Sequence, residues 1–165
     1  MYNYSFEKLG LDYAYVAFDI KVEEVKAALD AMRLFHMRGC NVTMPCKTEA
    51  AKYMDELSPA ARIIGAVNTI VNEDGKLIGH MTDGEGFVGN LRDHGIEIKG
   101  KKITVAGGGG AATAIQVQCA LDGAREISIF NIKDDFFERT LETAEKIRKE
   151  VPGIEVNVYD IADTA

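Results

Sequence analysis

Apolar positions change period several times along the chain, and each change predicts an element. Val22, Val25, Leu29 and Met32 recur at helical spacing with Glu23, Glu24, Lys26 and Asp30 between them, the pattern of a helix with one packed and one wet face. Ahead of it, Met1 to Leu9 reads as a helix stopped by Gly10, and Tyr13, Tyr15 and Ala17 alternate with Ala14, Val16 and Phe18 as in a strand. Beyond it, Gly39 to Thr43 is a short apolar strand interrupted by Pro45, and Thr48 to Met54 resumes a helix. Ser58 and Pro59 supply the N-cap and first-turn proline of another helix, which Gly65 ends. Val67 to Asn72 and Lys76 to Met81, joined by Glu73-Asp74-Gly75, read as a hairpin. Asp83 then caps a helix to His94, closed by Gly95.

From Ile103 the pattern becomes strand, glycine loop, helix (Ala111 to Leu121), strand (Glu126 to Phe130), helix (Phe136 to Lys149) and strand (Glu155 to Tyr159). That βαβαβ order is half of a doubly wound nucleotide fold. Charged and glycine residues cluster from Gly95 to Lys102, which predicts an α/β chain of two units, residues 1–95 and 96–165.

Composition narrows the function. A chain of 165 residues, 47% hydrophobic and 27% charged, is long enough to bury about 70% of its unfolded surface. Nineteen Lys and Arg against 26 Asp and Glu leave a net charge of -7, which argues against a broad cationic face for nucleic acid or anionic lipid. The uncharged stretch between Lys102 and Asp122 contains four consecutive glycines, Gln116 and Gln118, so it reads as a buried strand, turn and helix and no membrane partner is expected. Cys40, Cys46 and Cys119 form no disulfide framework or zinc knuckle, and the first residues lack the apolar core of a secretory signal, so the expected location is cytoplasmic. His36, His80 and His94 share no metal spacing, and no metal site is expected.

Gly107, Gly109 and Ala112 fit G-x-G-x-x-G/A between a strand and a helix. A pyrophosphate can approach a helix N-terminus closely only where side chains are absent and N–H groups point outward. The reading is therefore a dinucleotide site, against the plainer alternative of a flexible turn. At the end of the second strand lie Asn131, Ile132, Lys133 and Asp134. Asp134 can accept from a ribose hydroxyl and repel a 2'-phosphate, whereas Lys133 can attract that phosphate, so the expected cofactor is NAD or NADP, with NAD ahead. Asp134 or Asp135 can instead cap the next helix, and Asp135 suits that role better.

The upstream unit holds a polar constellation. Asn41-Val42-Thr43-Met44-Pro45-Cys46-Lys47 follows a short strand; its Lys47-Thr48 ending is not a P-loop, because Asn41 and Cys46 stand where glycines are needed. Asn68 enters one hairpin strand and Asp83 leaves the other. If Lys47 and Asp83 meet, the pair can hold a hydroxyl and exchange its proton. Taken singly, Lys47 is a solvated helix-start lysine and Asp83 an N-cap.

In order along the chain, Asn41 to Lys47, Asp55 to Ala61, Ala66-Val67-Asn68-Thr69, Thr82-Asp83-Gly84, the Gly107 loop and Asp134 to Phe137 resemble the shikimate dehydrogenase family, with the quinate/shikimate branch nearest. The resemblance implies an α/β substrate domain over residues 1–95 and the first half of a Rossmann-like dinucleotide-binding domain over 96–165. It also implies reversible NAD(P)-dependent oxidation of a ring hydroxyl of shikimate or quinate, the shikimate being an intermediate of aromatic amino acid biosynthesis. Lys47 and Asp83 would be the catalytic pair, Thr43 and Asn68 would contact substrate hydroxyls, and Gly107, Gly108, Gly109, Gly110 and Ala111 with Asn131, Ile132, Lys133 and Asp134 would line the dinucleotide site. Members of this branch commonly carry an arginine where Ile132 stands. They also begin with a strand and a Ser-x-Ser-Pro segment and continue past Ala165, so the chain looks like an interior piece lacking its first strand, expected either to be marginal in stability alone or to associate through open sheet edges as a homo-oligomer. A different class stays open: a catalytically silent fragment that binds a dinucleotide or serves as an interaction module.

Overall fold

In the computed structural model, residues 1–134 and 136–164 are described; Asp135, named above as a helix cap, and Ala165 lie outside the described residues. Helix α1 (Tyr2–Lys8) buries no side chain, and the chain after it differs from expectation. Residues 13–18 form no strand but an exposed, irregular run. Among the described residues no strand lies beside them to form a ladder. The Tyr15 N–H instead donates to Asn3 Oδ1 (2.6 Å), Asn3 Nδ2 donates to the Tyr15 carbonyl (2.9 Å), and the Tyr15 ring stacks on Tyr2 at 4.5 Å. The alternating aromatics thus serve a local hook on α1.

The amphipathic pattern at 22–34 gives a 3-10 turn (Val22–Glu24) running into α2 (Val25–Leu34), which buries Val25, Leu29 and Met32 as the apolar spacing requires. Beneath it lies a four-stranded sheet of β1 (Gly39–Asn41), β2 (Glu56–Leu57), β3 (Thr69–Glu73) and β4 (Lys76–His80), in the order β1-β3-β4-β2. Strands β3 and β4 are an antiparallel hairpin with Glu73 opposite Lys76; its turn needs positive φ at Asp74 (51°) and Gly75 (97°), which Asp-Gly supplies. Strand β1 adds antiparallel to β3, and the two-residue β2 adds parallel to β4. Helices α3 (Lys47–Ala51), α4 (Pro59–Ile64) and α5 (Asp83–Asp93) complete this part. Ser58 Oγ accepts from the Ala61 N–H at 3.3 Å, with Pro59 at the first position and Gly65 at φ 73°, so α4 begins and ends as its sequence predicts.

The second sheet is wholly parallel: β5 (Lys102–Ala106), β6 (Glu126–Asn131) and β7 (Glu155–Asp160), in the order β5-β6-β7, with α6 (Gly110–Leu121) and α7 (Phe137–Glu150) as crossovers. Ile127 and Ile129 are fully buried in its middle strand. Alongside β5 an open groove of about 520 Å³ is lined by Phe87, Leu91, Ile96, Ile103, Ile115 and Cys119.

The two sheets share one apolar cluster, reaching from Val25, Leu29 and Met32 through Val88 and Ala114 to Ile127 and Ile147. The closest junction is α5 against α6. A methyl group placed on Gly84 would lie 2.2 Å from the Ala114 carbonyl oxygen, so the helices approach to a distance that only glycine permits. Arg62 of α4 also reaches Glu150 of α7 at 2.7 Å.

Candidate active site

Residues from three segments meet at one polar cluster. Lys47 is the first residue of α3, and its carbonyl accepts the Val67 N–H at 3.0 Å, which ties the start of α3 to the approach of β3. The next residue, Asn68, donates its backbone N–H to the His80 carbonyl at the end of β4 (2.9 Å). Two residues past β4, the chain turns through Thr82 into α5. Asp83 Oδ2 lies 2.7 Å from Lys47 Nζ, and Asp83 Oδ1 accepts from Asn68 Nδ2 at 2.6 Å. The Lys47 side chain is 21% exposed and that of Asp83 45%, so the pair is open on one side.

The N-cap reading of Asp83 is corrected by this geometry. Thr82 occupies the cap position, no side chain caps α5, and the Asp83 carboxylate is turned away to Lys47 and Asn68. Its charge still lies in the first turn of a helix, where a negative group is favoured.

A second ring of polar groups fixes Asn68. Its Oδ1 accepts from the Thr82 backbone N–H (2.9 Å) and hydroxyl (3.2 Å), and Thr82 Oγ1 also lies 3.4 Å from Thr69 Oγ1. Asn41 Nδ2 donates to Thr69 Oγ1 at 3.4 Å, and the Tyr15 hydroxyl donates to Asn41 Oδ1 at 3.3 Å. With its oxygen occupied by donors, the Asn68 amide can only present N–H to Asp83, so the carboxylate is oriented rather than merely near. Sequence reasoning singled out Asn68 but gave no role to Tyr15, Thr69 or Thr82. The signal for Thr82 was its place next to Asp83; nothing in the chain pointed to Tyr15. Thr43 is exposed on the loop before Lys47, where its carbonyl accepts the Cys46 N–H at 3.0 Å.

The glycine loop lies between β5 and α6. Gly107 has φ 106° and donates its N–H to the Phe130 carbonyl at 2.7 Å. The four glycines divide by environment. Gly108 is buried, and a methyl group there would sit 2.0 Å from Thr140 Oγ1 and 2.7 Å from Asn131 Nδ2. Gly109 and Gly110 are exposed with nothing within 4 Å of where a side chain would begin, and Ala111 beside them is exposed as well. First-turn N–H groups of an α-helix have no intrahelical acceptor, so the start of α6 offers donors at an exposed, side-chain-free surface, which is the chemistry a pyrophosphate requires. Asn131 is buried and donates to Thr140 Oγ1 (3.3 Å), which places it beneath the loop. Ile132 and Lys133 are exposed, with the Lys133 ammonium 5.9 Å from the centre of the Phe137 ring. Asp134 Oδ1 accepts the Phe136 N–H at 2.9 Å, so Asp134 secures the approach to α7.

The cluster and the loop are joined by the α5–α6 junction. Gly84, adjacent to Asp83, packs on Ala114, and Ala114 is about 6 Å of helix rise from Gly110. Among the described residues no group of His, Cys, Asp and Glu is arranged to hold a metal, and no helix is long and apolar enough to cross a membrane.

Residues 1–70 match the family of shikimate dehydrogenase substrate binding domains. The shikimate dehydrogenase (NADP(+)) of Listeria monocytogenes (serotype 4b, strain F2365) is 52% identical over 163 residues, which cover 99% of this chain and 56% of that protein. A crystal structure of Listeria monocytogenes shikimate 5-dehydrogenase in complex with shikimate and NAD superposes with a TM-score of 0.94 at 51% identity, covering 98% of this chain and 56% of that one. Ligand-free 5-ketofructose reductase of Gluconobacter sp. strain CHM43 superposes with a TM-score of 0.84 at 33% identity, covering 95% and 56%. The chain spans about half the length of the curated relatives it matches.

Proposed function

From this kinship with the shikimate dehydrogenase family, we propose that the protein acts in the reversible oxidation of a ring hydroxyl of shikimate or quinate, with residues 1–95 holding the alcohol and 96–165 part of the dinucleotide. The observation that carries the reading is the 2.7 Å contact of Lys47 Nζ with Asp83 Oδ2, on a helix packed against the one that the glycine loop begins.

A nicotinamide dinucleotide, when bound, supplies the hydride acceptor or donor. Gly109, Gly110 and Ala111 would hold its pyrophosphate, and Ile132, Lys133 and Asp134 would flank its adenosine ribose. The chain's own residues handle the proton. In the reducing direction the Lys47 ammonium donates a proton to the carbonyl oxygen while Asp83 Oδ2 keeps the amine directed at it. In the oxidising direction the hydroxyl proton passes back to the same pair. Asn68 holds Asp83 Oδ1 throughout, and Thr43, exposed on the loop that leads into Lys47, would donate to a second ring hydroxyl.

The preferred dinucleotide in this reading is NAD. Ile132 brings no cation to the ribose, the Asp134 carboxylate repels a 2'-phosphate, and the Lys133 ammonium is drawn over the Phe137 ring.

The test is formation of reduced nicotinamide, read by absorbance, on mixing the protein with shikimate or quinate and NAD or NADP. General acid–base groups contribute about 10²–10⁴-fold, so Lys47→Ala and Asp83→Asn should each reduce turnover by about that factor. Undiminished turnover in either variant refutes the assigned pair. The open, side-chain-free start of α6 serves equally in a second reading, a dinucleotide-binding module without turnover. Calorimetry separates the two: heat of NAD binding without reduced cofactor supports the module.

A further inference from the structure

The buried amide of Gln116 on α6 is fully enclosed, yet only half of it is used. Its Nε2 donates to the Gly107 carbonyl at 3.0 Å, while Oε1 has no hydrogen-bond partner among the described residues. An apolar side chain of similar volume would avoid that unpartnered oxygen, so the amide is costly where it stands and its one bond calls for a reason. One turn earlier on the same helix, the buried Thr113 donates its hydroxyl to the Gly108 carbonyl at 3.3 Å, and its backbone N–H donates to the Gly109 carbonyl at 2.9 Å. Three successive carbonyls of the glycine turn are therefore all held by donors from α6.

A peptide unit is planar, so fixing where a carbonyl points also fixes where the following N–H points, in the opposite direction. Glycine has no side chain to hold that orientation and samples a wide range of backbone angles. We infer that Gln116 and Thr113 are positioning residues: by holding the Gly107 and Gly108 carbonyls inward they lock the turn so that its N–H groups face the phosphates of a dinucleotide. This rests on the reading of the turn as a dinucleotide site. Neither residue touches the ligand. Each removes turn disorder that binding would otherwise have to freeze, which lowers the cost of association.

The test uses Gln116→Met, which fills the space without a donor, Thr113→Val, which removes the hydroxyl at constant shape, and Thr113→Ser, which keeps it. Calorimetry with NAD, NADP and shikimate is combined with thermal unfolding and with NMR order parameters of Gly107 to Gly110 measured without nucleotide. Gln116→Met and Thr113→Val should weaken nucleotide binding at least tenfold and lower the order parameters of the turn. Shikimate affinity should be unchanged, Thr113→Ser should behave as the parent protein, and the melting temperature of Gln116→Met should not fall. A folded Gln116→Met with nucleotide affinity within twofold of the parent overturns the inference. If Gln116→Met does not fold, Thr113→Val against Thr113→Ser decides it in the same way. If the parent binds neither nucleotide, the dinucleotide reading fails separately; the order parameters then judge the lock, and an unchanged turn in the variants overturns it.

Discussion

Helix α5 carries three glycines whose surroundings predict opposite responses to the same substitution. At Gly84 an added methyl carbon would lie 2.2 Å from the Ala114 carbonyl oxygen, 2.8 Å from its carbonyl carbon and 2.8 Å from Gln118 Cβ. Even close C–H···O contacts keep carbon and oxygen about 3.3–3.6 Å apart, so α5 must retreat from α6 by roughly 1 Å. Overpacking of that kind costs about 1–3 kcal/mol. Alanine recovers up to about 1 kcal/mol over glycine in helix propensity, which leaves a net loss of up to about 2 kcal/mol for Gly84→Ala. At Gly86 and Gly89 nothing lies within 4 Å of the new methyl, so only the favourable part remains, about 0.4–1 kcal/mol. Urea unfolding of the three variants reads this as midpoints moving down for Gly84→Ala and up for the other two. The retreat also displaces Asp83, the residue before Gly84, relative to Lys47, and a 1 Å misplacement can cost about 10²-fold in rate, so Gly84→Ala should lose turnover well beyond its loss of stability. A Gly84→Ala protein stabilised as much as Gly86→Ala, or a loss at Gly86 equal to that at Gly84, refutes the account of the α5–α6 junction.

Two further outcomes follow from single side chains. Burial pushes the Cys40 thiol from the ordinary value of 9.0 up to about 11, and burial followed by the Asp122 carboxylate does the same for Cys119. Both thiols should resist iodoacetamide in the folded protein at pH 8, and because their folded values lie above their unfolded ones, the stability they contribute is complete below pH 9 and lost as pH rises through 11; rapid alkylation of both at pH 8 without unfolding refutes this. Ile132→Arg places a guanidinium at the end of β6 and should shift the ratio of NADP to NAD affinity upward at least tenfold by calorimetry. An unchanged ratio contradicts the position given to the adenosine ribose.

The second sheet was readable residue by residue because each of its elements carries a long, single-period signal. α6 and α7 start and stop within a residue or so of expectation, β5 and β6 are largely apolar runs, and β7 alternates Val156 and Val158 with Asn157 and Tyr159. The first sheet was readable only in part. Strand β2 is two residues long, Glu56 and Leu57, and a pair of residues has no period to detect; it exists because β4 offers it a parallel edge. The run from Tyr13 to Phe18 has a strand's alternation, but among the described residues no strand lies beside it, and the Asn3 side chain takes the Tyr15 backbone groups instead. The meeting of Lys47, Asn68 and Asp83 could be posed from chemistry, since amine, amide and carboxylate suit proton exchange. Their distances depend on the hairpin register and on the bond from Val67 to the Lys47 carbonyl, which no local pattern encodes. Gln116 is harder still: in the sequence it breaks an apolar helix, and only its bond to Gly107 gives that break a meaning.

The Lys47–Asp83 contact adds little to stability, and that bears on what it is for. Partly exposed ion pairs contribute about 0–1 kcal/mol, because solvent screens the attraction and two side chains lose freedom. Yet considerable structure is committed to holding it: β3 and β4 in register, Asn68 locked by Thr82, the start of α3 tied to Val67, and a glycine at 84 so that α5 can seat against α6. A surface pair with no further task needs none of these constraints, since lysine and aspartate at the end of flexible stems find each other unaided. The fold positions the pair, rather than the pair holding the fold, which is the arrangement expected of groups whose geometry matters to a bound molecule. Releasing Asn68 by Asn68→Ala while leaving both charged residues intact would therefore separate the two roles, with turnover falling well beyond the about 1–3 kcal/mol of stability that the unpaired Thr82 N–H costs.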